Sequence, residues 1–231
     1  MTLAVGLQGK DHVVMAADRL GHTDDPEGMY RFKCQKLHAI RAGSREWLVG
    51  VAGSEDALTL IDALSGEPFD AEYAIDGLQI YTEKLKDTCE RSGFENDMYF
   101  LIGGVDPNGP FIYELRFRGE KKNWVGPVSV GDDRGYSAIG AAAHGALYFA
   151  SEHHSPEMSK AQRLQLAHFC VAEASKQDIR IDGPVEVAVA SSEAIQFITE
   201  ASHPHIAERS KSIARSIREL LCSPYPEPGH S

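Results

Sequence analysis

The chain opens with MTLAVGLQGKDHVVMAADR (residues 1–19), in which two short apolar runs, "LAVGL" (3–7) and "HVVMAA" (12–17), flank the polar link "QGKD". Valine-rich runs of this length, bounded by glycine and charged residues, are strands, and the short link makes them a hairpin. Thr2 stands directly behind Met1, ahead of a strand pair that leads to Asp18. Two readings of it are open. It is an ordinary residue entering a strand, or, once Met1 is removed, a nucleophile whose own α-amine serves as its base.

The order of the remaining elements constrains the fold. After the polar, turn-rich connection "GHTDDPEG" come two more strand candidates, "QKLHAI" and "EWLVGVAG". From Ser54 the period changes: Ala57, Leu58, Ile61 and Leu64 fall at helical spacing until Gly66 and Pro68. A second helix fits 71–91, with Ala74, Leu78, Tyr81 and Leu85 along one face. "MYFLIGGVD" and "PFIYELRF" form a hairpin around "DPNG", and "KKNWVG" and "YSAIG" are further strands. Helices follow at about 141–154 and 158–176, the second starting near Ser159. "PVEVAVA" and "AIQFIT" make a last hairpin, and "HIAERSKSIARSIRELL" an amphipathic helix. Helices that come in pairs between groups of strands do not suit alternating βαβ units. They predict an α+β fold, a four-layer αββα sandwich of two mostly antiparallel sheets, each covered outside by a helix pair. Residues 1–221 read as one domain and 222–231 as a flexible tail.

Composition narrows the function. The 231 residues carry a net charge of −11 with no lysine- or arginine-rich run, which argues against a nucleic-acid or anionic-membrane surface. No stretch approaches the roughly 20 apolar residues of a membrane span, and the start lacks the order of a signal peptide. Cys34, Cys89, Cys170 and Cys222 are scattered without C-x-x-C spacing, as expected of reduced thiols in a cytoplasmic protein. His144, His153, His154, His203 and His205 show no converging ligand spacing, the adjacent pair 153–154 pointing about 100° apart on its helix. Glycine-rich candidates lack the lysine of a phosphate loop. Neither a metal nor a cofactor is expected.

An N-terminal threonine needs three supports. Its α-amine, with an unperturbed pKa of about 7.7, is partly neutral at working pH and can take the hydroxyl proton. A neighbouring ammonium lowers the pKa of both groups, and a carboxylate must hold that ammonium in line. A backbone N–H at a glycine-containing turn can receive the oxyanion. The chain offers Thr2, Asp18 at the end of the second strand, Lys36 opening the third, and Gly53 where "LVGVAGSEDA" passes from strand to helix.

The runs "TLAVGLQGKDHVVMAADR", "KCQKLHAI" and "WLVGVAGSEDALTLID" resemble, in order and spacing, a proteasome β-subunit and its bacterial relatives HslV and Anbu. Further on, "SAIGAAAHGALYFA" resembles the family's Gly-Ser-Gly turn from strand to helix, and "KQDIRIDGPVEVAVA" its acid-containing turn. The resemblance implies a threonine-type peptidase acting on peptides or unfolded proteins. It also implies assembly into a homo-oligomeric ring or helical stack, with an unfoldase of unknown identity as a further partner. By this carry-over Thr2 is the nucleophile, Asp18 the partner of the catalytic lysine, Lys36 that lysine, Gly53 the oxyanion amide and Asp178 a second acid near the nucleophile. Lys33 competes with Lys36, which is preferred because "KLHAI" continues directly as the strand. Gly21 and His22 resemble the segment that pairs with an extended substrate, and Val51 and Glu55 the lining of the pocket for the side chain before the scissile bond. Glu55 suits a basic side chain there, or is an ordinary acid in the first turn of a helix. Two family serines are replaced, by Ala141 and Ile181, and the arginine usual two residues past the first acid falls at Arg19. The same resemblance therefore accommodates a weakly active structural subunit, and the same nucleophile accommodates an amidase of small substrates.

Overall fold

The computed structural model describes residues 3–25, 28–42, 45–65, 74–130, 134–199 and 203–222. Met1, Thr2 and residues 223–231 of the expected tail lie outside them.

Alternation along the first hairpin builds two cores at once. In β1 (Leu3–Gln8), Leu3, Val5 and Leu7 face one side and Ala4 the other. In β2 (His12–Ala17), Val14 and Ala16 share the first side, and Val13, Met15 and Ala17 the second. A strand that is apolar on both faces must be covered on both, so this hairpin lies inside the molecule.

The strands that follow are β3 (Leu20–Asp25), β4 (Gly28–Lys33), β5 (Leu37–Ala42) and β6 (Arg45–Gly53). Helices α1 (Asp56–Ser65) and α2 (Ala74–Ser92) lead to β7 (Met98–Asp106), β8 (Gly109–Arg118), β9 (Asn123–Ser129) and β10 (Tyr136–Gly140). Then come α3 (Ala143–His153), α4 (Lys160–Ala174), β11 (Glu186–Ser191), β12 (Ile195–Ile198) and α5 (Ile206–Cys222). One sheet has the order β10-β1-β2-β11-β12 and the other β5-β6-β7-β8-β9, with every pairing antiparallel.

The sheets pack face to face through small and branched side chains, among them Ala4, Met15, Leu48, Leu101 and Ala188. Close approach is required at Gly50, where an added Cβ would sit 3.1 Å from the Ala4 Cβ. Outside the second sheet, α1 and α2 bury Leu60, Ile61, Leu78, Tyr81 and Leu85 against Trp47, Val49 and Phe100. Outside the first, α3 and α4 bury Ala146, Ala150, Leu164, Ala167 and Val171 against Leu3, Val5 and Val14. The four-layer αββα sandwich is the observed fold.

Several local readings are corrected. Within the connection "GHTDDPEG", residues 21–25 lie in β3 and Gly28 opens β4, and the two strands pair as a separate two-stranded ribbon; Pro26 and Glu27 lie outside the described residues. The connection shows no apolar alternation, which is why the sequence reads as a loop. His154 is not helical; it is the extended C-cap of α3 and contacts the Gln8 carbonyl 3.1 Å away through Nε2. Helix α5 runs on through Cys222, one residue into the expected tail. The Ser159 start of α4 is a reciprocal capping box with Gln162, and the "DPNG" turn is held by Asn108 N–H donating to Asp106 Oδ1 at 2.8 Å.

Candidate active site

Asp18 closes the β1–β2 hairpin on the side where the chain begins. The register pairs Ala4 with Ala17, so Asp18 faces Leu3. Its Oδ1 accepts the Leu3 N–H at 2.9 Å, and Oδ2 accepts the Leu20 N–H at 3.1 Å and the Lys36 ammonium at 2.7 Å. Both side chains are shielded, Lys36 2% and Asp18 1% exposed. Lys36 Nζ donates in addition to the Leu20 carbonyl. An ion pair removed from water is tolerable only when its other donors and acceptors are largely satisfied; here the carboxylate takes two backbone N–H groups besides the ammonium, and two of the three ammonium protons have acceptors. Lys33 is exposed and sits in the β3–β4 ribbon opposite Leu20.

Lys36 stands one residue ahead of β5, the edge strand of its sheet. Val51 N–H donates to the Lys36 carbonyl at 3.0 Å, but the Lys36 N–H turns elsewhere. Together with the Leu37 N–H it donates to Glu186 Oε1, at 2.6 and 2.8 Å. Glu186 is the first residue of β11, in the opposite sheet, and its Oε2 lies 3.8 Å from Arg19 Nε. Burial pushes its carboxyl above the usual range, against the opposing pull of the two N–H groups and of the Arg19 and Lys36 charges. Sequence reasoning missed this residue. The available signal was an acid set into the apolar alternation of "PVEVAVA".

Beside the pair lies a small cleft lined by Gly21, Lys36, Val51, Gly53 and Glu55, with Phe32, Cys34 and Leu58 completing its wall. Val51 is buried, and Glu55 is exposed in the turn that opens α1. Gly53 has φ +99°, and an added Cβ would meet the Asp97 carbonyl oxygen at 2.3 Å, so no other residue fits without backbone movement. Ser54 caps α1 by accepting the Asp56 N–H at 3.2 Å. The Cys34 thiol is half-buried and raised in pKa by that burial. His22 pairs with Arg31 in the ribbon; its side chain is outside the described residues.

Asp178 follows α4. It accepts a bidentate pair from Arg180, at 2.8 Å from Nε and 2.6 Å from Nη2, which holds its carboxyl down at about 2. The same turn carries Ile181, fully buried in the core beneath the first sheet, and ends at Gly183, packed near Arg19 and Leu20. Gly140, paired with Leu3, leads through Ala141 to Ala142 at φ 53°, the N-cap of α3. Thus Asp18, Lys36, Gly53, Gly21, Val51 and Glu55 gather around one end of the sheets. Asp178 is engaged by Arg180, and Thr2 lies outside the described residues. No group of three or more His, Cys, Asp or Glu suited to a metal ion occurs among the described residues. No helix there is long and apolar enough to cross a membrane.

Two antiparallel sheets face to face, helices outside each, and a buried Asp–Lys pair at the first residues of the leading strand make this an N-terminal-nucleophile hydrolase fold. The proteasome subunit family model matches residues 2–190, and the chain belongs to that family. Among solved structures it is similar to Anbu (ancestral beta-subunit) from Yersinia bercovieri, with a TM-score of 0.75 and 16% identity over 98% of this chain and 100% of that one. It is similar also to the Anbu complex of Pseudomonas aeruginosa, solved as a helical assembly, with a TM-score of 0.76 and 14% identity over 99% of this chain and 100% of that one. At such identities the likeness is one of fold. No curated protein sequence matches significantly.

Proposed function

We propose that the chain is a proteasome-like threonine endopeptidase subunit that acts through Thr2 after removal of Met1. The observation that carries this reading is the double engagement of Asp18. One of its oxygens takes the Leu3 N–H and the other the Lys36 ammonium, so the charge is anchored a single peptide bond from the residue proposed as nucleophile. In the proposed reaction the Thr2 hydroxyl attacks the substrate carbonyl while its own amine accepts the proton. That proton passes to the departing amine of the cleaved peptide, and water hydrolyses the resulting ester. Lys36 stabilises the developing alkoxide, and the Gly53 N–H receives the oxyanion. Asp178 is proposed to act near the amine. The segment at Gly21 and His22 pairs with an extended substrate, and the side chain before the scissile bond enters the cleft between Val51 and Glu55.

Ala141 and the buried Ile181 stand where the resembled family has serines, so the proposed enzyme lacks two hydroxyls near its amine. This favours slow turnover, with a structural subunit of little activity as the limit. The Anbu complex of Pseudomonas aeruginosa is a helical assembly, and a homo-oligomeric ring or stack in the cytoplasm is proposed here by that analogy. An unfoldase partner remains a proposal from the family alone.

The test combines intact mass with hydrolysis of fluorogenic peptides. The expected mature protein lacks Met1, labels with a threonine-reactive inhibitor and loses turnover by on the order of 10³-fold or more in Thr2→Ala. Full peptide turnover by a clean Thr2→Ala preparation overturns the reading.

A further inference from the structure

The two sheets carry different parts of the proposed site: Asp18 directly follows β2 of the first, and Lys36 precedes the edge strand of the second. Something must fix the approach between them, because a displacement of about 1 Å in a catalytic group can cost on the order of 10²-fold in rate. A lysine side chain, with four carbons and many rotamers, does not do this unaided.

We propose that Glu186 is a positioning residue that locks the Lys36 backbone across the gap between the sheets and so delivers the ammonium to Asp18. Its Oε1 gathers two successive N–H groups, those of Lys36 and Leu37, into a small anion-binding nest. Both donors need it. Leu37 N–H lies on the edge strand, and Lys36 N–H has left the ladder to β6 although its carbonyl still accepts from Val51. The anchor is itself fixed, since Glu186 pairs with Ala17 in the β11–β2 ladder and Ala17 immediately precedes Asp18. A closed circuit results: Asp18, Lys36 side chain, Lys36 backbone, Glu186, Ala17 and back to Asp18. Arg19 and Leu20, next along the chain, complete it: Arg19 faces the second carboxylate oxygen, and the Leu20 carbonyl takes a further proton of Lys36. Glu186 touches no reacting atom in this scheme. The charged groups facing it are Arg19 and Lys36.

The inference rests on the peptidase reading for its kinetic arm alone. Glu186→Gln keeps an acceptor oxygen for both N–H groups without the charge, and Glu186→Met keeps the length without the acceptor. The expected result is that E186M lowers kcat by about 10- to 100-fold with KM changed less than about threefold, and that E186Q recovers most of the loss. In a crystal structure of E186M, Lys36 Nζ is expected to have moved beyond hydrogen-bond reach of Asp18. If the wild-type protein hydrolyses no peptide, the peptidase reading fails and the crystallographic arm still decides this one. Should E186M not fold, hydrogen exchange of the Lys36 and Leu37 amides in the wild type replaces it. Protection relative to the unstructured amide that is high at neutral pH and falls on protonation of Glu186 supports the clamp, and lack of protection at neutral pH overturns it. An E186M protein with the Asp18–Lys36 contact intact and kcat within twofold of wild type also overturns it.

Discussion

Lys36 Nζ lies 2.7 Å from Asp18 Oδ2, and neither side chain reaches solvent. The two members are not equivalent on removal. Lys36→Met leaves a buried carboxylate that retains the Leu3 and Leu20 N–H donors but loses its counter-charge. A cost of about 3–5 kcal/mol is expected for breaking such a pair, and the double variant Asp18→Asn/Lys36→Met should recover part of it. Peptidase turnover should be lost in both, whereas Lys33→Ala should leave it nearly unchanged. Urea unfolding and initial rates on the same preparations check the ranking; a severe Lys33→Ala defect beside an active Lys36→Met would invert the assignment of the lysine.

Gly53→Ala should destabilise the protein by more than a surface substitution does. It forces a Cβ onto a left-handed backbone, about 1–2 kcal/mol, and adds the collision with the Asp97 carbonyl. A loss of roughly 2–4 kcal/mol in chemical denaturation is expected, together with lost turnover if the 53–54 turn carries the oxyanion. Gly93→Ala is a suitable comparison: it shares a positive φ of 68° but would meet nothing within 4 Å. It should show only the conformational part.

Ala142 offers the opposite case. It is the N-cap of α3, has φ 53° and makes no side-chain cap. Glycine tolerates that backbone freely and is a better N-cap than alanine. Ala142→Gly should therefore stabilise by about 0.5–1 kcal/mol despite the greater freedom it gives the unfolded chain. A higher Tm in calorimetry is the expected readout, and an unchanged or lower one would show that the turn bears no strain.

Asp178 sets an acid limit. Its carboxyl is held at about 2 in the folded protein, against an ordinary value of 3.8, chiefly by hydrogen bonds from Arg180. A depressed folded value means the unfolded chain takes up the proton first. The contribution to stability is thus complete above about pH 4 and is lost as pH falls from there through about 2. Asp178→Asn should flatten that part of the stability profile and leave the profile above pH 5 parallel to wild type. Denaturant midpoints at pH 5 and pH 2.5 make the comparison.

The layers were legible because each strand of the central pair is apolar on both faces, which leaves no arrangement except burial between helices and a second sheet. Ser159 marked the start of α4 and "DPNG" the β7–β8 turn; the structure adds the Gln162 half of the capping box and the Asn108 N–H to Asp106 bond. The β3–β4 ribbon was not legible, since the run Thr23, Asp24 and Asp25 carries no apolar alternation to signal a period of two. Asp18, Lys36 and Gly53 could be picked out by residue type and chain position. Glu186 stands out locally only as an acid in the apolar run "PVEVAVA"; its role depends on contacts between the sheets, 149 and 150 positions apart in sequence, which that local pattern does not encode. Asp178 could be picked out through the resemblance, but not its bidentate pairing with Arg180 two residues later, which only the folded turn shows.

Assembly is the last expectation. One chain leaves the cleft lined by Lys36, Val51 and Glu55 open at its surface, and an unregulated peptidase of this kind would act on other proteins around it. Packing of copies side by side would sequester the site, and the native mass is expected to be several times that of the 25.3 kDa chain. Each chain carries a net charge of −11, so bringing copies together concentrates like charge. Interfaces must then be apolar at their centre or locally paired, and the residual long-range repulsion is what dissolved salt screens. With a screening length of about 30 Å at 0.01 M and about 8 Å at 0.15 M, the assembly should loosen at low ionic strength and tighten as salt is added. Light scattering at these two concentrations reads the effect directly. A protein that is monomeric at both, yet fully active on small amides, would instead be an amidase using the same fold.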